Sequence, residues 1–135
     1  MADTQVTIVG NLAADPEVRS TPSGATVASF RVAVTPRVRE GEQWRDGETS
    51  FFRCTAWRSL AENLAGSVGR GARVIVVGRL RQRSWETPEG EKRSVTEIEA
   101  DEVGLSLKFA QAQSRKAGRE HAAAGRDQFT DEPPF

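Results

Sequence analysis

Residues 51–68 read FFRCTAWRSLAENLAGSV, and the fold can be inferred from the elements that they predict. Its first part, Phe51–Trp57, alternates between two sets of side chains and predicts a β-strand. The next four residues have the form of a capping box, with Ser59 as the N-cap and Glu62 at position N3. We therefore expect a short helix that runs from Ser59 toward Val68 and ends at the glycines that follow it.

Four other stretches carry strand patterns: Thr4–Gly10, Val27–Thr35, Arg73–Trp85 and Lys92–Val103. The charged segment Arg37–Glu48 lies between the second and third predicted strands. It is expected to form an extended hairpin loop that carries Trp44. The order is therefore three strands, a helix and two strands. This order predicts an all-β fold, a five-stranded OB-fold barrel with a short helix between strands 3 and 4.

The chain has 135 residues, which is room for one domain and a tail. We expect residues 1–107 to form the barrel and residues 108–130 to form a flexible linker. Residues 131–135 would then form an acidic tip, and the whole tail would be disordered. A helical turn over Phe109–Lys116 is the alternative for the start of the linker.

Composition argues against catalysis and against bound metal. Cys54 is the only cysteine and His121 the only histidine, and they lie in unlike contexts, so the sequence predicts neither a zinc site nor a Cys–His nucleophile pair. No phosphate-binding loop or nucleophile elbow is present. We expect a protein that is not an enzyme and needs no cofactor. No stretch has the pattern of a signal peptide or a membrane span, so a cytoplasmic location is predicted and no membrane partner.

Side chains alternate across a strand, so residue parity separates the barrel interior from its surface. In the third strand Phe52, Cys54 and Ala56 should face inward. In the fourth strand the inward set should be Val74, Val76, Gly78 and Leu80. The opposite faces then carry Phe51, Arg53, Thr55 and Trp57 on the third strand, and Arg79, Arg81, Arg83 and Trp85 on the fourth.

Aromatic and arginine side chains on one solvent-facing surface favour single-stranded nucleic acid. Bases stack on aromatic rings in any order, and guanidinium groups pair with phosphates. Only Lys92, Lys108 and Lys116 are lysines among 19 basic residues, and this bias suits the same surface although the net charge is zero. The candidate contact residues are Arg31, Arg37, Trp44, Phe51, Arg53, Trp57, Arg58, Arg79, Arg81, Arg83, Trp85 and Arg93.

The same parity places Ile75 and Val77 on the outside of the fourth strand. Exposed apolar side chains need cover. We expect that cover to be another subunit, and the helix or a loop of the same chain is the alternative.

The chain ends in Asp131-Glu132-Pro133-Pro134-Phe135. The two prolines favour an extended conformation, Phe135 can fill an apolar pocket, and the carboxylates can pair with a basic rim. These features predict a short peptide that partner proteins capture.

Motifs along the barrel resemble those of the bacterial single-stranded DNA-binding proteins, and their details are most similar to the actinobacterial branch. The motifs are Val9-Gly10-Asn11-Leu12, Asp15-Pro16-Glu17-Val18-Arg19, Gly24-Ala25-Thr26-Val27-Ala28, Phe51-Phe52-Arg53, Trp57, Leu60-Ala61-Glu62, Gly78-Arg79-Leu80-Arg81, Trp85 and Pro134-Phe135. The resemblance spans residues 4–107 almost continuously.

The resemblance implies a homotetramer of OB-folds, assembled as a dimer of dimers, that coats single-stranded DNA without strong sequence preference at the nucleoid. Its acidic tip would recruit replication, recombination and repair proteins. The family's stacking positions match Phe51, Trp57 and Trp85, and a dimer–dimer contact matches Ile75.

The chain departs from the family pattern at several points. Val38 stands where the family often has Trp, so one stacking surface is missing unless Trp44 replaces it. The linker is shorter and more basic than usual, and the tip has fewer acids. Two other functions stay open: an adaptor that binds DNA weakly, and an OB-fold protein that binds RNA. The chain is also compatible with a specialised second copy beside a longer housekeeping protein.

Overall fold

Alternating side chains produce eight β-strands and one α-helix in the computed structural model, which describes residues 3–117. The strands are β1 (Gln5–Leu12), β2 (Glu17–Ser20), β3 (Thr26–Val34), β4 (Arg37–Glu40), β5 (Gln43–Asp46), β6 (Ser50–Trp57), β7 (Arg73–Glu86) and β8 (Lys92–Leu105). The helix α1 spans Arg58–Ala65. His121, the linker beyond residue 117 and the tip at 131–135 lie outside the described residues.

Five of these strands pair in a closed ring. β1 pairs antiparallel with both β3 and β7, β7 pairs antiparallel with β8, β8 pairs parallel with β6, and β6 returns antiparallel to β3. The β1–β3 contact is short and joins Asn11 to Ala33 and Leu12 to Val32. This pairing order and the helix between β6 and β7 confirm the predicted OB-fold.

The remaining strands decorate the barrel. β2 is a short exposed strand on the edge of β3, and it was not among the strands predicted from the sequence. β4 and β5 form the expected hairpin as a separate two-stranded sheet, with Arg39 opposite Trp44. β7 and β8 are both 14 residues long and pair as far as Glu86 and Lys92, so this hairpin carries more paired residues than any other.

The interior follows the predicted parity. Most of the buried side chains come from alternate positions of the barrel strands, with Val27 beside Ala28 on β3 as an exception. The largest fully buried ones are Ile98, Val32, Val74, Val76 and Cys54. Helix α1 packs against β3 and β6 and contributes Ala61 and Leu64 to the same core. No charged or polar residue within 3–117 is buried. The barrel is therefore held by apolar burial, and its charged groups stay on the surface.

The predicted capping box is wrong. Trp57 is the N-cap residue, and no side chain caps the helix. The chain passes from β6 directly into the helix through Arg58, whose φ is 61°, so Ser59 already lies within the first turn. Glu62 instead accepts a hydrogen bond from Oγ1 of Thr26 at 3.3 Å. Tertiary contact with β3 has replaced the local cap.

The helix also ends earlier than expected. Gly66 is its C-cap, and its amide hydrogen-bonds to the carbonyl of Glu62. Val68 still packs against the core after the helix has ended. Gly71, with φ 89°, makes the turn that leads into β7.

Two glycines permit close approach between strands. A Cβ at Gly10 would collide with the carbonyl oxygen of Ala33, and a Cβ at Gly78 would collide with that of Glu99. Gly78 also lies at a β-bulge, since Val77 faces Glu102 while Gly78 faces Ala100. Glycine at these positions lets strands pack more closely than a side chain would allow.

Beyond β8, residues 106–117 have no helix or strand, so the helical turn considered for Phe109–Lys116 is not formed. The ring of Phe109 lies 5.4 Å from the guanidinium carbon of Arg73. Within residues 3–117, no helix has the length and apolar character needed to cross a membrane.

Candidate nucleic-acid interface

A groove of about 480 Å³ crosses the outer face of the barrel, and we call it the arginine groove. Strands β3, β6, β8 and β7 form most of it, and β2 forms one rim. Its lining residues are Arg19, Thr21, Val27, Ser29, Arg53, Thr55, Trp57, Arg81, Gln82, Arg83, Glu97 and Glu99. Four predicted contact residues therefore meet here from two separate strands: Arg53, Trp57, Arg81 and Arg83.

Trp57 supplies the aromatic surface of the groove. It is the last residue of β6, and its neighbour Ala56 points into the core with no exposed surface. Trp57 itself is 41% exposed. Its ring is thus held by a rigid strand while part of its surface faces solvent, which is the arrangement a stacking base requires.

A second hollow of about 410 Å³ lies on the β7–β8 hairpin. It is lined by Trp85 and Arg93, which are direct cross-strand neighbours, and by Gln82, which also lines the arginine groove. The guanidinium carbon of Arg83 lies 5.4 Å from the Trp85 ring centre. The two concave surfaces therefore adjoin along β7.

A third hollow, of about 160 Å³, adjoins the groove on the other side. Arg31 and Arg53 line it and face each other across the β3–β6 pair. Like charges directly opposite each other destabilise a sheet, so an anion bound here would relieve their repulsion. Arg31 also lies over the ring of Phe51 at 4.8 Å. Arg53 lines both this hollow and the arginine groove.

Carboxylates on β8 oppose the arginines of the groove, and they were not among the residues predicted for this surface. Glu97 contacts Arg53 at 3.2 Å and Arg83 at 2.8 Å. Glu99 contacts Arg81 at 3.1 Å. The signal was available in the sequence, because Glu97 and Glu99 alternate with the buried residues Ile98 and Ala100 and so must face outward.

Arg79 is less available than the other predicted arginines. Its side chain is only 23% exposed, and it pairs with Asp101 at 3.1 Å and with Glu99 at 3.4 Å. The hydrogen bond to Asp101 is the main cause that raises the pKa of Arg79. Its Nε is buried without a hydrogen-bond partner. These contacts fix Arg79 against β8.

Five predicted contact residues line none of the three hollows: Arg37, Trp44, Phe51, Arg58 and Arg79. Arg37 and Trp44 belong to the β4–β5 hairpin, where Arg37 pairs with Asp46 at 3.5 Å. Arg58 begins α1 next to Trp57. In contrast, Arg19, Thr21 and Ser29 line the groove although they were not among the predicted contact residues. Arg19 reaches it because β2, which was not predicted, pairs with β3, whereas Ser29 lies on β3 itself, opposite Thr55 of the groove.

An apolar strip lies on another outer face of the barrel. Ile75 and its cross-strand neighbour Val9 are each 37% exposed, and Val77 is half-buried beside Thr7. Helix α1 packs on β3 and β6 and so does not provide the cover considered for Ile75. The strip remains open to solvent in the single chain.

The one cysteine is unsuited to chemistry. Burial, followed by the charge of Glu97, raises the pKa of the Cys54 thiol to about 12. The thiolate is the reactive form, so a thiol with this pKa is a poor nucleophile and a poor metal ligand near neutral pH. Within residues 3–117, no group of His, Cys, Asp and Glu side chains has the arrangement of a metal site.

Comparison with known proteins places this geometry in a family. Residues 3–106 match the model of the single-strand binding protein family. A single-stranded DNA-binding protein of Mycobacterium tuberculosis is 62% identical over 119 residues, which cover 87% of this chain and 73% of that protein. One from Corynebacterium glutamicum is 59% identical over 121 residues, covering 88% of this chain and 54% of that protein.

A solved structure shows the same fold. The small single-stranded DNA-binding protein from Streptomyces coelicolor superposes with a TM-score of 0.69 at 37% sequence identity, covering 79% of this chain and 97% of that one. The resemblance seen in the sequence motifs is thereby confirmed, including its similarity to actinobacterial proteins. The chain belongs to the single-strand binding protein family.

Proposed function

We propose that this protein binds and coats single-stranded DNA along a path formed by the arginine groove and its two adjoining hollows. One observation supports this most strongly. Phe51, Trp57 and Trp85 are exposed aromatics along this path. Phe51 lies beside Arg31 and Trp85 beside Arg83, while Trp57 lines the groove together with Arg53. The relatives named above are single-stranded DNA-binding proteins, which supports the same function.

The chemistry follows from the two kinds of side chain. Stacking of a base on an aromatic ring contributes about 1–3 kcal/mol per base and depends little on which base it is. The arginines neutralise the phosphates between the stacked bases. A duplex hides its base faces, so it gains only the second of these interactions. The protein acts by binding, without catalysis and without a cofactor.

Assembly and recruitment complete the proposal. The strip of Val9, Ile75 and Val77 would join subunits into a homotetramer, because a second copy would remove exposed apolar surface from water. Residues 1–107 would form the binding and assembly domain, 108–130 a linker, and 131–135 a tip that recruits replication, recombination and repair proteins at the nucleoid in the cytoplasm.

Titration of tryptophan fluorescence with oligo-dT of increasing length tests the binding. Trp57→Ala should weaken binding by about 1–3 kcal/mol without loss of fold, since it removes a stacking surface and no core volume. Trp57→Phe is the matched control and should retain most of the affinity. Matched single-stranded RNA as competitor separates DNA binding from RNA binding. Wild-type affinity in Trp57→Ala would contradict the stacking path.

A pull-down from cell extract tests the tip. Deletion of Asp131–Phe135 should remove partner proteins while leaving affinity for oligo-dT unchanged or slightly higher, since acidic residues compete with phosphate. Recovery of the same proteins with the deleted tail would contradict recruitment by the tip.

A further inference from the structure

Glu97 occupies the centre of the arginine groove and joins its two walls. It lies on β8, between β6 and β7, and its Oε2 is 3.2 Å from Nε of Arg53 and 2.8 Å from Nη2 of Arg83. The Glu97 side chain is only 13% exposed, while those of Arg53 and Arg83 are 49% and 58% exposed. A single carboxylate at the floor of the groove thus holds two exposed guanidinium groups.

These ion pairs occupy much of the positive charge in the groove. The lining contains Arg19, Arg53, Arg81 and Arg83, and against them stand Glu97 and Glu99. The formal charge of these six residues is therefore +2, from four arginines less two glutamates. Three of the four arginines contact a carboxylate before any nucleic acid arrives.

We propose that Glu97 competes internally with phosphate, so that it lowers the affinity for single strands and reduces the salt dependence of binding. The inference rests on the proposed function. Carboxylate and phosphate accept hydrogen bonds from the same guanidinium donors. A phosphate that reaches Arg53 or Arg83 must share or displace the contact to Glu97, and part of its binding energy offsets that loss.

The burial of Glu97 makes this competition effective. Water screens a carboxylate at the floor of a groove less than one on a rim, so its attraction to the arginines and its repulsion of phosphate are both stronger there. A role of Glu97 in orienting the arginines predicts the opposite change in affinity when its charge is removed. If Glu97 served to place Arg53 and Arg83 for phosphate, removal of its charge would weaken binding.

The test is the variant Glu97→Gln in the full chain. Glutamine keeps the size of the side chain and still accepts hydrogen bonds from arginine, but it carries no charge. Oligo-dT affinity is measured by fluorescence titration across a series of salt concentrations. We expect binding about 3–10-fold tighter than wild type at low salt, with the difference shrinking as salt increases. The slope of log affinity against log salt should steepen by up to about 0.7, the value for one more neutralised phosphate.

Glu40→Gln is the matched control. Glu40 also pairs with an arginine, Arg45, at 2.7 Å, but both side chains are largely exposed, and neither residue lines the groove or its two adjoining hollows. The affinity of this control variant for oligo-dT should change by less than about twofold, as expected for an exposed pair. Thermal unfolding confirms that each variant is folded. If Glu97→Gln does not fold, Glu97→Thr removes the same charge with a residue suited to a strand.

The outcomes separate the two proposals. Tighter binding and a steeper salt slope support competition by Glu97. Unchanged or weaker binding by a folded Glu97 variant overturns it and leaves the proposed function intact. A wild-type protein that fails to bind oligo-dT at low salt contradicts the proposed function itself.

Discussion

The backbone of Arg58 lies in the left-handed region, at φ 61°, directly after the exposed ring of Trp57. A side chain with a Cβ is strained there by about 1–2 kcal/mol, and glycine is not. The turn connects β6 to α1 without a linker and so fixes where Trp57 stands relative to the helix. Strain beside a proposed binding residue is typical of functional sites.

Two substitutions at this position measure the strain. Arg58→Gly and Arg58→Ala both remove the guanidinium, but only glycine relieves the backbone. We expect the glycine variant to be more stable than the alanine variant by roughly 1 kcal/mol, measured by urea denaturation. Equal stabilities would show that the left-handed conformation carries no strain.

Cys54 provides a prediction about pH. Its thiol has a pKa of about 12 in the folded protein, against an ordinary value of 9.0. Because the pKa is raised by folding, its contribution to stability is complete below pH 9 and is lost as pH rises toward 12. The stability advantage of wild type over Cys54→Ala should shrink by roughly 1 kcal/mol between pH 8 and pH 10.

Reactivity checks the same thiol independently. At pH 8 a thiol reagent should modify native Cys54 on the order of 100-fold more slowly than the unfolded chain. Rapid modification of the native protein would contradict the burial of Cys54 in the barrel.

Among the secondary-structure elements, the β7–β8 hairpin has the largest set of paired residues, and it contributes five of the residues that line the arginine groove. Its close packing at the bulge depends on Gly78, since a Cβ there would meet the carbonyl oxygen of Glu99. The bulge also brings Asp101 and Glu99 to the same guanidinium of Arg79.

Gly78→Ala should therefore destabilise the protein by about 1–3 kcal/mol, the range for overpacking, as measured by urea denaturation. Gly104→Ala is the matched control on β8, because a Cβ there meets no atom within 4 Å. Its stability should lie within about 0.5 kcal/mol of wild type. An equally small change in Gly78→Ala would contradict the close approach of the two strands.

At the scale of the whole molecule, the barrel has distinct outer faces with different chemistry. One carries the arginine groove, and another carries the apolar strip of Val9, Ile75 and Val77. Because the strip and the groove are separate, copies could associate through the strip and leave the groove accessible. This separation is what a protein needs if it both assembles and coats a strand.

Ile75→Arg tests the assembly. A charge in the centre of the strip should shift the mass in solution, measured by light scattering, from a tetramer to a smaller species, since an unpaired buried charge is costly. Val18→Arg is the control, because Val18 is exposed on β2, away from the strip. A wild type that is already monomeric at micromolar concentration would overturn the predicted tetramer.

Local pattern was enough to predict the barrel strands and their inward faces. Phe52, Cys54 and Ala56 alternate with Phe51, Arg53 and Trp57, and a period of two has only one arrangement in a half-buried strand. The order of elements then predicted the OB-fold, and the aromatic and arginine residues of the outer faces predicted a candidate surface for single strands.

Other features were decided only by tertiary structure. The helix begins at Arg58 without a side-chain cap, because Glu62 bonds to Thr26 on another strand instead of to its own helix. β2 exists because the edge of β3 offers unpaired backbone groups, which no periodicity in residues 17–20 could reveal. The acids opposing Arg53, Arg81 and Arg83 are distant in sequence, and strand register alone brings them within 3.2 Å. Sequence therefore determined which side chains face outward, whereas folding determined which charges meet there, because long-range pairing sets contacts that local periodicity does not encode.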